Sequence, residues 1–161
     1  MSNVRKTLIW AIATLAFTRG FRIHEPLLGE RQSYDSFVTL MRKDPVLKEN
    51  DKFPHIQILL KIQGGKDRIG KDEDVDVFGT KNFCLPNQSL QKYQKSTSKL
   101  SFAAPKPIFR TEDGKTYCDK MFNADLKALL CSVIDYSSMG KVSLHSFRIG
   151  ITTMLGKLGV F

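Results

Sequence analysis

The sequence predicts an α+β fold, mostly helical around a small antiparallel β-sheet, organised as one domain over residues 1–161. Three observations predict it. Residues 4–17 form an apolar run of helical length; His55–Ile62 and Asp74–Phe78 are β-branched or alternating, as strands are; and Phe122, Leu126, Leu129, Leu130 and Val133 recur at helical spacing. A hydrophobic fraction of 42% with 25% charged residues is that of a globular chain, and the length suffices to bury one core.

The elements follow in order. Residues 4–17 are apolar nearly all round, which predicts a helix buried against other elements rather than lying on a surface. Arg5-Lys6 followed by Leu8–Phe17, with Ala11-Ile12-Ala13 as a small-residue site, also has the layout of a secretory signal. The run is too short to span a bilayer, and the cysteine usage does not look secreted, so the buried helix is the favoured reading. Gly20 breaks the pattern and sets Arg22 in a turn. Phe37, Val38, Leu40 and Met41 suggest a short helix closed by Asp44-Pro45. The strands 55–62 and 74–78 flank Gln63–Lys71, whose glycines mark a hairpin connection. A polar helix, Ser89–Lys95, follows Cys84-Leu85-Pro86 and leads into a Ser/Lys-rich loop and the Ala103–Pro107 segment. Thr116-x-x-Asp119 has the form of a capping start for the amphipathic helix, and Ser143 that of a cap for a last helix whose Phe147, Ile151 and Leu155 face the core. No internal repeat and no interdomain linker is present in the sequence.

With 25 Lys+Arg against 16 Asp+Glu the formal net charge is +9, which favours a polyanionic partner. Charge alone does not decide this, because many basic domains bind no nucleic acid. The three cysteines, Cys84, Cys118 and Cys131, lack Cys-x-x-Cys spacing, which argues against a disulfide framework and against a zinc site. A reducing compartment fits, cytoplasmic or nuclear, with the nucleus favoured for a eukaryotic chain.

Two short segments carry chemistry. Ser143-Leu144-His145-Ser146-Phe147-Arg148-Ile149-Gly150 puts a histidine and an arginine one helical turn apart, and Gly20-Phe21-Arg22-Ile23-His24-Glu25 places a second arginine far upstream. Guanidinium groups clamp the non-bridging oxygens of a phosphodiester well, because their donors form a rigid bidentate fork. His145 lies on the same helix face as Arg148, where it could take a proton or hydrogen-bond the phosphate. Taken singly, each residue also has an ordinary reading: Arg22 as a surface charge, His145 as a helix-terminal or core histidine, Lys66 as a solvated turn residue.

In combination the two segments resemble those of the tyrosine recombinases, the phage-integrase-type strand-exchange enzymes, in which a Gly-x-Arg-x-x-Glu box precedes a His-x-x-Arg box. Leu144–Gly150 resembles the family segment over consecutive positions, and Cys84-Leu85-Pro86 followed by Tyr93 resembles the passage after the family's hairpin. The flavour is nearest to recombinases of eukaryotic mobile elements of the crypton or DIRS type. The resemblance implies Arg22 and Arg148 as phosphate clamps and His145 as the histidine of the second box. It implies a hairpin lysine as general acid for the leaving 5′-oxygen; Lys66 at the hairpin tip is chosen, with Lys61 and Lys71 flanking it. Glu25 would orient an arginine or brace the fold.

The departures are equally specific. The family places a further His or Trp box and then its nucleophilic tyrosine beyond the His-x-x-Arg helix, whereas Tyr34, Tyr93, Tyr117 and Tyr136 all precede Arg148. His24 replaces a more usual small polar residue. The resemblance covers nearly all of this chain but only the front of the family's catalytic domain, so the expected domain is incomplete at its C-terminus. The functional expectation is binding of double-stranded DNA, with recombination or integration in a full-length relative, without metal or other cofactor and without a membrane. An oligomer would form on DNA if the C-terminal segment were supplied. The alternative is a non-enzymatic DNA-binding or interaction remnant of a mobile-element recombinase.

Overall fold

The computed structural model describes residues 1–19, 27, 45–48, 55–60, 73–78, 86–98, 107–131, 133, 135, 137, 142 and 144–157; for the strands, for Arg19 and for residues 144, 148, 151, 152, 154 and 155 the description is of the backbone alone. The first helix, α1 (Asn3–Arg19), organises the rest. Ser2 caps it: its Oγ accepts the Arg5 backbone N–H at 3.2 Å, satisfying one of the donors that a helix start leaves free. Leu8, Ile9, Ala11, Ile12, Ala13, Leu15 and Ala16 are all buried, so the helix is covered on most sides, as its all-round apolar sequence requires. Trp10 is the exception at 50% exposure. None of the described helices is long and apolar enough to cross a membrane.

Helix α2 (Pro86–Ser96) begins with proline at its first position, where a missing N–H costs nothing, three residues earlier than the polar run suggests. It packs chiefly on α1. Its polar face is partly inside: Asn87 and Ser89 are buried beside Leu90 and Tyr93. Ser89 and Thr14 of α1 bring their hydroxyls to 2.6 Å of each other, and each is also within reach of a backbone carbonyl of its own helix. Each hydroxyl has one proton, so one donates to its partner and the other to a carbonyl.

Residues 107–118 form a tight backbone reversal. Tyr117 N–H donates to Phe109 C=O at 3.1 Å, Thr111 N–H to Lys115 C=O at 2.8 Å, and Arg110 and Thr116 form an antiparallel bridge. Gly114 closes the turn at φ +81°, a left-handed conformation in which a side chain is strained. A Cβ there would also lie 2.8 Å from Arg110 Nη2, whose guanidinium donates to the Gly114 carbonyl. Gly114→Ala is therefore expected to cost about 1–3 kcal/mol, from the φ strain and the displaced guanidinium together, read as a lowered urea midpoint at unchanged slope.

Helix α3 (Asp119–Leu130) follows at once, its N-cap being Cys118 in extended conformation with no side-chain cap bond. Thr116 does not cap it. Thr116 is held in the bridge to Arg110, and Asp119 instead sits in the first turn, where a negative charge meets the positive end of the helix. The apolar stripe is real for Phe122 and Leu126, which are buried, and for Leu129 and Leu130, which are partly so. Val133 falls past the helix end and is 76% exposed. In the last helix, α4 (Leu144–Lys157), Phe147 meets Phe122 edge-on with ring centroids 6.4 Å apart. A Cβ on Gly150 would be 3.3 Å from the Phe17 ring, so the glycine lets α4 lie close on α1.

The expected α+β fold around an antiparallel sheet is corrected. Of the residues whose side chains are described, 70% are helical, 6% are strand and none lies in a sheet. The described core is built from α1, α2, α3 and the 107–118 reversal, with Leu27 joining it. The backbones of β1 (Pro45–Lys48), β2 (His55–Leu60) and β3 (Glu73–Phe78) run antiparallel, with Ile58 opposite both Pro45 and Val75. β1 starts at Pro45, where the sequence predicts a helix stop. The physical reason is that alternation reports a pleated backbone, while the choice of what α1 packs upon is made by apolar area, and α2, α3 and α4 all contact it.

Candidate functional site

Helix α4 carries the described part of the predicted site. Its first turn holds His145, which is exposed, and Arg148 follows three residues on in the same helix. Among the residues of the helix whose side chains are described, His145, Ile149 at 54%, Thr153, Gly156 and Lys157 are exposed, with His145, Ile149, Thr153 and Lys157 spaced by four. The inner side is marked by Phe147 against Phe122 and Gly150 against Phe17. Arg22, Glu25, Lys66 and the 63–71 hairpin connection lie outside the described residues.

Two of the four tyrosines are committed elsewhere. Tyr93 is fully buried, its hydroxyl within hydrogen-bond distance of the Ile108 and Arg110 carbonyls at 3.1 and 3.0 Å while it accepts the Arg110 N–H at 2.8 Å. Tyr117 is 1% exposed and donates to Asp125 Oδ2 at 2.6 Å. Neither hydroxyl can reach a polymer in solution. Tyr34 and Tyr136 lie outside the described residues.

A polar network that sequence reasoning missed ties the first helix to the third. Arg5 Nε donates to Asp125 Oδ2 at 2.5 Å, so one carboxylate serves both Arg5 and Tyr117. The bond to Asp125 holds the Arg5 guanidinium charged beyond its ordinary range. Burial, and then the bond to Asp125, push the Tyr117 hydroxyl far above the ordinary tyrosine range, so it stays a donor. Beside the network a cleft of about 310 Å³ opens between the start of α1 and the 111–115 turn. Val4, Leu8 and Met121 give it apolar walls, and Arg5, Glu112 and Lys115 give it charges of both signs. Asp113 at its edge is brought down to about 2 by the Thr111 hydroxyl and then by Lys115, whose ammonium is 2.9 Å away. Arg5 and Asp125 are 120 residues apart, and nothing local in the sequence announces the pair. The turn had a signal: Asp113-Gly114 between Phe109 and Tyr117 is a hairpin dipeptide in a β-favouring setting.

Among the described residues no group of three or more His, Cys, Asp or Glu is gathered as a metal site requires. No protein-family profile, no curated protein and no solved structure matches the chain.

Proposed function

We propose that this chain is a double-stranded-DNA-binding domain of tyrosine-recombinase type, in which Arg22, Arg148 and His145 hold a phosphodiester and Lys66 stands by the leaving 5′-oxygen. The observation that carries the reading is the His-x-x-Arg pair on α4, with His145 exposed at the helix start, in a chain of net charge +9. One turn of helix separates the two groups, which suits two contacts to one phosphate. Strand cleavage of this kind needs a hydroxyl in line with the leaving oxygen, and the burial and bonding of Tyr93 and Tyr117 support leaving both out of that role.

The test is fluorescence anisotropy with a labelled nicked duplex across a salt series. Affinity should fall with salt with a logarithmic slope of about −0.9 per phosphate neutralised. Arg22→Ala with Arg148→Ala should weaken binding more than Lys92→Ala with Lys95→Ala, because a bidentate clamp on one phosphate loses more than two solvated surface charges. Affinity independent of salt refutes DNA binding, and equal effects of the two pairs reduce the arginines to surface charge.

A further inference from the structure

Among the residues of α4 whose side chains are described, His145, Ile149, Thr153 and Lys157 are exposed, and of these only His145 belongs to the phosphate clamp. His145, Ile149, Thr153 and Lys157 are all exposed and follow at intervals of four residues, so they form one stripe that winds slowly round the helix over about 18 Å. The inner face is occupied by the packing of Phe147 and Gly150, which leaves the stripe pointing away from the core. From Tyr136 to Phe161 the sequence contains no aspartate or glutamate, while Lys141, Arg148 and Lys157 are cationic. Helix α4 carries no acidic residue and contains Arg148 and Lys157, a charge balance that favours a polyanion.

Ile149 separates this stripe from an ordinary solvated face. At 54% exposure it sets branched methyl groups in the middle of the stripe, between a histidine and a threonine, with a lysine at the far end. Polar ends with an apolar and hydroxyl centre match the way a B-form major groove is lined: phosphates at the rims, base edges and thymine methyls on the floor. That groove is about 12 Å wide and admits an α-helix, whereas the major groove of an RNA duplex is deep and narrow and does not.

We infer that α4 is a groove-entering helix: His145 and Lys157 reach phosphates at its two ends, and Ile149 and Thr153 meet base edges between them in the major groove of B-form DNA. This rests on the DNA-binding reading above and names the surface that carries it.

The experiment uses the full chain with duplex DNA of about two helical turns. Thr153→Glu puts a negative charge at the centre of the stripe, and Ala124→Glu puts the same charge on the exposed side of α3. Thr153→Glu should weaken binding about tenfold or more and Ala124→Glu about twofold or less, since only the first charge would face phosphates at close range. Unvaried protein should protect guanine N7 from dimethyl sulfate, a major-groove readout that needs no variant, and should bind RNA duplex of the same sequence more weakly. Equal effects of the two substitutions, absent N7 protection, or equal affinity for the RNA duplex would each overturn the assignment while leaving DNA binding standing. Unchanged DNA binding by Thr153→Glu, with a shift from dimer to monomer in sedimentation, would overturn it and make a second copy of the chain the occupant. Failure of the unvaried protein to bind duplex DNA at low salt would sink both the assignment and the reading beneath it.

Discussion

Replacing Tyr93 by alanine is expected to abolish the folded state or bring it to the edge of unfolding at room temperature. The ring is fully buried between α2 and the 107–118 reversal, tilted against Phe109 with centroids 5.8 Å apart, and its hydroxyl meets three backbone groups of Ile108 and Arg110. Truncating a buried aromatic costs about 3–5 kcal/mol from lost burial and the cavity left behind. The unpaired Arg110 N–H would add to that, against a total stability of about 5–15 kcal/mol for a domain of this kind. Tyr93→Phe separates the two contributions. It keeps the ring and removes the oxygen, so it should cost about 1–3 kcal/mol, the penalty of stranding a buried N–H. Urea unfolding followed by circular dichroism gives both numbers; a phenylalanine variant as stable as the parent would show that the hydroxyl bonds are replaced by water.

The second large effect is expected at Asp125. Its carboxylate is 9% exposed and accepts from both Arg5 Nε and Tyr117 Oη, so Asp125→Ala removes one group and strands two donors. Breaking a largely buried charged pair in this way costs about 3–5 kcal/mol at full burial; with Arg5 partly in water the expectation is about 2–4 kcal/mol. Tyr117→Phe should cost less, about 1 kcal/mol, because Arg5 and Asp125 keep each other. The same hydroxyl predicts an alkaline limit. Folding raises the pKa of Tyr117 above its unfolded value of about 10, so the folded chain holds a proton that the unfolded chain releases. The stability this contributes is complete below about pH 10 and is lost progressively as pH rises above it. Urea midpoints between pH 9 and pH 11 should therefore fall more steeply for the parent than for Tyr117→Phe, and parallel curves would show that Tyr117 titrates normally.

Several parts of this molecule are legible in its sequence because their causes are local. The all-round apolar run of α1 demands partners on most sides whatever they are, and the stripe Phe122–Leu130 follows from helical periodicity. The one-turn spacing of His145 and Arg148 is likewise a property of any helix that contains them. Asp113-Gly114 was equally local and predicts a reversal, since Gly114 adopts the positive φ that the turn needs.

The tertiary structure alone decided where each pattern stops and what it packs against. Periodicity carried the stripe on to Val133, but the backbone leaves the helix at Leu130, so that valine faces water. Thr116 has the right spacing for a cap and is drawn instead into a bridge with Arg110, a competition between two backbone geometries that no window of sequence can weigh. The helical nature of the described core was settled by α2 seating Leu90 and Tyr93 in it beside the buried face of α1. Arg5, Asp125 and Tyr117 meet across 120 residues of chain, because a buried carboxylate is tolerable only where donors converge on it, and that convergence exists only once the helices have packed.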